Sequence, residues 1–203
     1  MKFHAHLLFL LLTLFLSPLS VSAQKEVVIP ELQEKQKGFF FRISAGIGTG
    51  KTDFKEVYDI RGFTIPLSFH LGYQTSSPLG IYLNYSIPFI LNPEYSPDNT
   101  LDNPLMTIPQ FGGGALYRFG KGNNYLFSDV NVASLRRLIS DNVVASGPGF
   151  GLNLGWGYDH NLVKSVHMGA NLFYHFSTMK DDPGESPVVD NYLGACLSFL
   201  FGK

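Results

Sequence analysis

The sequence predicts an all-β fold, an antiparallel up-and-down β-barrel of eight strands of the transmembrane kind. Three observations carry that prediction. Residues 62–93, 142–158, 165–179 and 191–202 contain no Asp, Glu, Lys or Arg, so something other than water must face them. These segments alternate with period two, the mark of strands with two different faces. Their smaller face is made of Gly, Ser and Asn, not the Lys, Glu and Thr of a sheet that meets water. Small residues fit the narrow, filled interior of an eight-stranded barrel. The apolar face then meets lipid, and a closed barrel is the only sheet that can do so, because closure leaves no unpaired edge.

Taken in order, Phe39, Phe41, Ile43, Ala45 and Ile47 oppose Phe40, Arg42, Ser44, Gly46 and Gly48. Phe63, Ile65, Leu67, Phe69, Leu71 and Tyr73 oppose Thr64, Pro66, Ser68, His70, Gly72 and Gln74. Pro66 removes a ladder donor and predicts a bulge. Leu79, Ile81, Leu83, Tyr85 and Ile87 oppose Gly80, Tyr82, Asn84 and Ser86. Phe111, Ala115, Tyr117 and Phe119 oppose Gln110, Gly112, Gly114 and Arg118. Leu126, Val130 and Val132 oppose Asp129 and Asn131, less cleanly. Phe150, Leu152, Leu154, Trp156 and Tyr158 oppose Gly151, Asn153, Gly155 and Gly157. Val166 to Phe176 on even numbers oppose His167, Gly169, Asn171, His175 and Ser177. Leu193, Ala195, Leu197, Phe199 and Phe201 oppose Gly194, Cys196 and Ser198.

The connections predict an asymmetry. Links at 75–78, 120–124 and 159–163 are short, whereas 49–61, 89–106, 135–146 and 178–188 are longer, as expected of periplasmic turns and outer loops. Strands descending to the short-turn end finish with outward rings: Tyr73, Tyr117 with Phe119, Trp156 with Tyr158, and Phe199 with Phe201. These predict an aromatic girdle. The outer segments 91–104 and 181–185 are acidic and suit solvated loops or a surface for an unidentified ligand.

Residues 1–23 read as a cleaved secretory signal peptide. Lys2 precedes the apolar LLFLLLTLFL, and Val21-Ser22-Ala23 offers the cleavage site. Residues 24–37 read as a polar periplasmic leader and 38–203 as one barrel domain. The net charge of −1 gives no sign of a nucleic-acid partner. Cys196 is the only cysteine, which excludes an internal disulfide and a cysteine zinc site.

The closing strand YLGACLSFLF and the eight-segment pattern resemble the small outer-membrane β-barrels of Gram-negative-type bacteria. The class is the opacity-like and OmpA-transmembrane-domain-like one, and the resemblance covers residues 38–203. It implies a non-catalytic protein, structural or adhesin-like through its outer loops. It also implies outer-membrane lipid and lipopolysaccharide as surroundings, and recognition of the last strand by barrel-assembly machinery. Gly202 and Lys203 follow Phe201, where that class often ends on the aromatic itself.

Two motifs suggest chemistry. AGIGTGKT at residues 45–52 nearly spells a phosphate-binding loop, but a P-loop needs a following helix, and residues 53–62 leave room for only about two turns. The alternation instead puts Gly46 and Gly48 in the lumen and Lys51 at the start of an outer loop. Tyr174-His-Phe-Ser177 with Glu185 is similar to the site of the outer-membrane lipid A deacylases. That resemblance implies His175 as base, Ser177 as nucleophile and Glu185 as the orienting carboxylate. The unbroken apolar face of this strand turns His175 and Ser177 inward, away from lipid. The reading from the residues is a polar lumen network of Arg42, His70, Arg118, Asp129, His167, His175 and Asp190. In it Arg42, Arg118 and Asp129 pair in the lower barrel, and His175 joins Asp190 or Tyr192. His70, His167 and His175 have no metal-ligand spacing, so no metal or cofactor is expected. A small pore is the remaining alternative, against a lumen plugged by its own side chains.

Overall fold

In the computed structural model, residues 37–54, 58–76, 78–96, 105–120, 123–139, 142–180 and 187–202 are described. The predicted signal peptide, all of the leader but Lys37, and Glu185 lie outside them. Every regular element among the described residues is a β-strand. In chain order these are β1 (Gly38–Phe54), β2 (Tyr58–Gln74), β3 (Leu79–Ser96), β4 (Leu105–Thr107), β5 (Gln110–Phe119), β6 (Asn124–Ala133), β7 (Arg136–Ile139), β8 (Asn142–Ala145), β9 (Gly147–Val163), β10 (Val166–Lys180) and β11 (Pro187–Gly202).

All neighbours pair antiparallel, and the pairing returns to its start. Around the wall the order is β1, β2, β3, β5, β6, β9, β10, β11 and back to β1. That is the eight-stranded ring the alternation predicts. The short strands β4, β7 and β8 continue β5, β6 and β9 across breaks at residues 108–109, 134–135 and 146.

The facing follows the period-two pattern. Even residues of β1, β2, β3, β5 and β11 and odd residues of β6, β9 and β10 point inward. Outside, Leu83, Phe111, Leu126, Val130, Leu172 and Leu197 are each more than half exposed. The lumen is narrow enough that inward rings need glycines opposite them. A Cβ on Gly157 would lie 2.3 Å from the Tyr125 ring, and one on Gly72 would lie 2.5 Å from the Phe40 ring. The glycines are therefore sockets for Phe40 and Tyr125, which together with Tyr82, Phe127, Phe173 and Tyr192 fill much of the cross-section.

Three expectations are corrected. The outer links are shorter than the spans 49–61, 89–106, 135–146 and 178–188, because the strands run on. β1 and β2 reach Phe54 and Tyr58, β3 reaches Ser96, and β7 and β8 leave only residues 140–141 between them. Lys51 accordingly lies within β1 and pairs with Arg61, so it does not start a loop. Pro66 causes no bulge. The β1–β2 register is the same on both sides of it, and only the pairs at Gly46 and Ile47 are missing, as the lost N–H dictates. The irregularity in β2 falls between Arg61 and Phe63.

Candidate functional site: a filled lumen

The interior is built in three layers. At the short-turn end, Asp159 is shared by two arginines. Arg42 Nη2 donates to Asp159 Oδ2 at 2.7 Å and Arg118 Nη2 to the same oxygen at 2.9 Å. Arg42 also donates to the Tyr125 hydroxyl, and its guanidinium lies 4.3 Å from the centroid of that ring. Arg118 Nε reaches Gln74 Oε1 at 3.4 Å. His167 hydrogen-bonds Asn161 through Nδ1 at the same end. The expected pairing of both arginines with Asp129 is thereby corrected. Asp159, assigned to a turn, is the partner, because β9 continues inward-facing through residue 159.

Asp129 sits higher and has no ion-pair partner among the described residues. Neutral donors solvate it instead: Asn153 Nδ2 at 2.6 Å, Tyr82 Oη at 3.1 Å, Asn84 Nδ2 at 3.3 Å, and Asn131 Nδ2. These hydrogen bonds offset part of the cost of burying the carboxylate. His70 lies edge-on to Tyr82, with ring centroids 4.9 Å apart. Beside this layer is a cavity of about 50 Å³, lined among others by Ser44, Pro66, His70, Asn84, Asp129 and Cys196. It has room for a few water molecules.

The histidine–serine motif lies above. His175 is fully buried, its Nδ1 is 2.6 Å from Asn153 Oδ1, and its Nε2 is 3.1 Å from Gln110 Nε2. Because the Gln110 amide nitrogen can only donate, Nε2 accepts and Nδ1 carries the proton, an assignment made from the network. Asp190 Oδ2 stands 3.6 Å from Nε2, and Thr52 Oγ1 donates to Asp190 Oδ1 at 2.7 Å. Ser177 Oγ is buried with no hydrogen-bond partner among the described residues. A nucleophile must be hydrogen-bonded to its base. Here the base nitrogen is taken by Gln110, and Glu185 lies outside the described residues.

The third layer closes the outer end. Phe54, Ile60, Ile90, Met106, Ile108, Ala133, Leu135, Met179 and Val188 form one buried apolar cluster inside the wall. Sequence reasoning missed this plug, together with Tyr125 and Asp159, although those of them that lie in strands are in phase with the inward face. On the outer surface Tyr73, Tyr117, Phe119, Trp156, Tyr158, Phe199 and Phe201 point outward at the short-turn end, and Phe39 packs edge-on against Tyr73 at 5.1 Å. Among the described residues no group of three or more His, Cys, Asp or Glu side chains is placed to hold a metal.

No protein-family model matches the chain, and no curated protein matches it in sequence. Solved structures do match it in shape. Neisserial surface protein A (NspA) is 14% identical, covers 80% of this chain over 97% of its own, and superposes with a TM-score of 0.57. Ail, the attachment invasion locus protein of Yersinia pestis, solved with the heparin analogue sucrose octasulfate, is 13% identical over 79% and 98%, with a TM-score of 0.49. OprG from Pseudomonas aeruginosa is 10% identical over 84% and 98%, with a TM-score of 0.47. The returning ring of strands, the apolar outer face with its rings at one end, and the superposition on NspA give one conclusion: this chain has the fold of the small eight-stranded outer-membrane β-barrels.

Proposed function

We propose that the protein resides in the bacterial outer membrane as a non-catalytic barrel. It acts as a structural element or a surface-binding protein through its outer rim. The observation that supports this most is the filled lumen. An ion-pair layer, a polar layer and an apolar plug succeed one another along its length. Such an interior offers neither an ion path nor a nucleophile open to substrate, so the outward-facing rim is left to make contacts. Export through a cleaved signal peptide, a periplasmic leader, contact with lipid and lipopolysaccharide, and delivery by barrel-assembly machinery through β11 belong to the same reading.

The reading is tested in cells. The protein is expressed with residues 97–104, which join β3 to β4, replaced by a short Gly-Ser linker. Outer-membrane fractionation and the heat-dependent gel shift of a folded barrel should be unchanged, while adhesion of the cells to epithelial cells and matrix glycoproteins should fall to background. Adhesion equal to the parent refutes a role for that rim segment. A change in lipid A mass on overexpression of the parent, lost in Ser177→Ala, would instead establish the hydrolase.

A further inference from the structure

The donors around Asp129 are shared unevenly. Asn84, Asn131 and Asn153 all donate to Oδ1, which leaves Oδ2 with the Tyr82 hydroxyl alone. A carboxylate oxygen has room for a second partner, so Oδ2 keeps an open acceptor position. Asn84 spends its amide nitrogen on Asp129 and Asn131, and its Oδ1 has no hydrogen-bond partner among the described residues. Ser44 Oγ has none among them either. Asp129, Asn84 and Ser44 are each 2% exposed, and all three line the cavity of about 50 Å³. Oxygens buried at this depth are costly to leave unmatched.

The register supplies more oxygen to the same wall. Ser44 of β1 pairs with Ser68 of β2, and Ser68 with Ser86 of β3, so three serines face inward side by side. Ser68 and Ser86 also line the cavity, and Ser86 donates its hydroxyl proton to Gln110 Oε1, which leaves its own lone pairs open. Charge points the same way. Among the described lumen side chains, Arg42 and Arg118 stand against three carboxylates, Asp129, Asp159 and Asp190. With the histidines neutral, one negative charge is left over. Arg42 reaches the cavity too, but its guanidinium is held by Asp159 and Tyr125.

We propose that this cavity binds one hard monovalent cation, sodium or potassium, between the Asp129 carboxylate, the Asn84 carbonyl and the Ser44 hydroxyl. Oxygen donors select hard cations, and one carboxylate with neutral oxygens matches a single charge. Among the described residues no group of three or more His, Cys, Asp or Glu side chains offers the donors a transition metal takes. The ion cancels the charge left over and gives the unmatched oxygens a partner. It lies between the Asp159 layer and the apolar plug, so it enters as the wall closes, and the lumen does not conduct.

The experiment refolds the full chain into mild detergent in sodium, potassium or N-methylglucamine chloride at equal ionic strength. Urea unfolding is followed by the emission of Trp156. N-methylglucamine carries the same charge but is too large for the cavity. Sodium or potassium should raise the urea midpoint above that in N-methylglucamine, and the more effective of the two is the ion the site selects. At about ten times the dissociation constant the folding equilibrium shifts about 10-fold. Asp129→Asn, close in shape but uncharged, should abolish the difference. Ser44→Ala removes no hydrogen bond formed among the described residues. It should reduce the difference, and it decides the matter if Asp129→Asn does not fold. Equal midpoints in all three salts would mean that water, or the ring of His70 opposite Asn84, satisfies these oxygens, and would overturn the proposal. A response of parental size in Asp129→Asn or Ser44→Ala would put the ion elsewhere and overturn it as well.

Discussion

The two ends of the barrel wall are built with opposite polarity. Toward the short turns, large apolar side chains such as Leu172 and Leu197 point out, and Arg42, Asp159 and Asp129 point in. Toward the outer rim, Phe54, Ile60, Met106, Leu135 and Val188 point in, while Arg61, Arg136 and Lys180 point out. The backbone is the same ladder throughout, so the inversion reflects the medium. Where lipid surrounds the wall, apolar groups gain nothing by facing inward, and the lumen takes the polar ones. Where water surrounds it, burial of apolar surface drives them inward as in a soluble barrel. The level at which the pattern inverts therefore marks where the wall leaves the membrane.

Substitutions that ignore the inversion should cost in proportion to what each end buries. The largest effect belongs to Asp159→Ala, which leaves Arg42 and Arg118 facing each other without their shared carboxylate. It should lower stability by about 3–5 kcal/mol, read as a shift in denaturant unfolding followed by emission of Trp156, the only tryptophan. Met106→Ala opens a void in the rim plug and should cost about 2–5 kcal/mol in the same assay. Leu172→Arg places a charge on the apolar outer face of the lower wall. It should cost about 2–4 kcal/mol in bilayers, measured as a reduced folded fraction on unboiled gels. Arg136→Ala, on the outward face of the rim, should stay within about 0.5 kcal/mol of the parent. A gain of about 2 kcal/mol or more would mean that the rim also sits in lipid.

The comparison also explains what the sequence could reveal. Strand facing was legible everywhere, because lipid imposes an apolar residue at every second position and leaves small or polar ones between. Strand length was not. The charges of Lys51, Asp53 and Arg61 read as the end of a strand, yet the ladder continues through them, with Lys51 opposite Arg61 and Asp53 opposite Asp59. A search for lipid-facing residues loses the strand at the point where the strand leaves the lipid. Asp159 was lost in the same way at the other end, where a charge read as a turn although it kept the inward phase of Asn153 and Gly157. The plug residues Ile90, Met106 and Leu135 sat in segments read as loops, so their common destination was invisible until pairing brought β3, β4 and β7 together.

The partners inside the lumen were harder still. Arg42 and Arg118 point inward, but period two gives a face and not a height. Height comes from register, which joins Gly157 of β9 to Tyr125 of β6 and so brings Asp159 level with the guanidinium that lies on the Tyr125 ring. Asn84, Asn131 and Asn153 converge on Asp129 for the same reason.

The central claim is that the apolar outer face meets lipid, and Trp156 reports on it directly. The chain should be reconstituted in vesicles with and without brominated acyl chains, and its emission compared. Trp156 lies on the outer surface among the rings of the short-turn end, so brominated lipid should quench most of its emission in the folded barrel. Emission unchanged by brominated lipid, from a chain that stays in solution when vesicles are removed, would contradict the account and place that face in water.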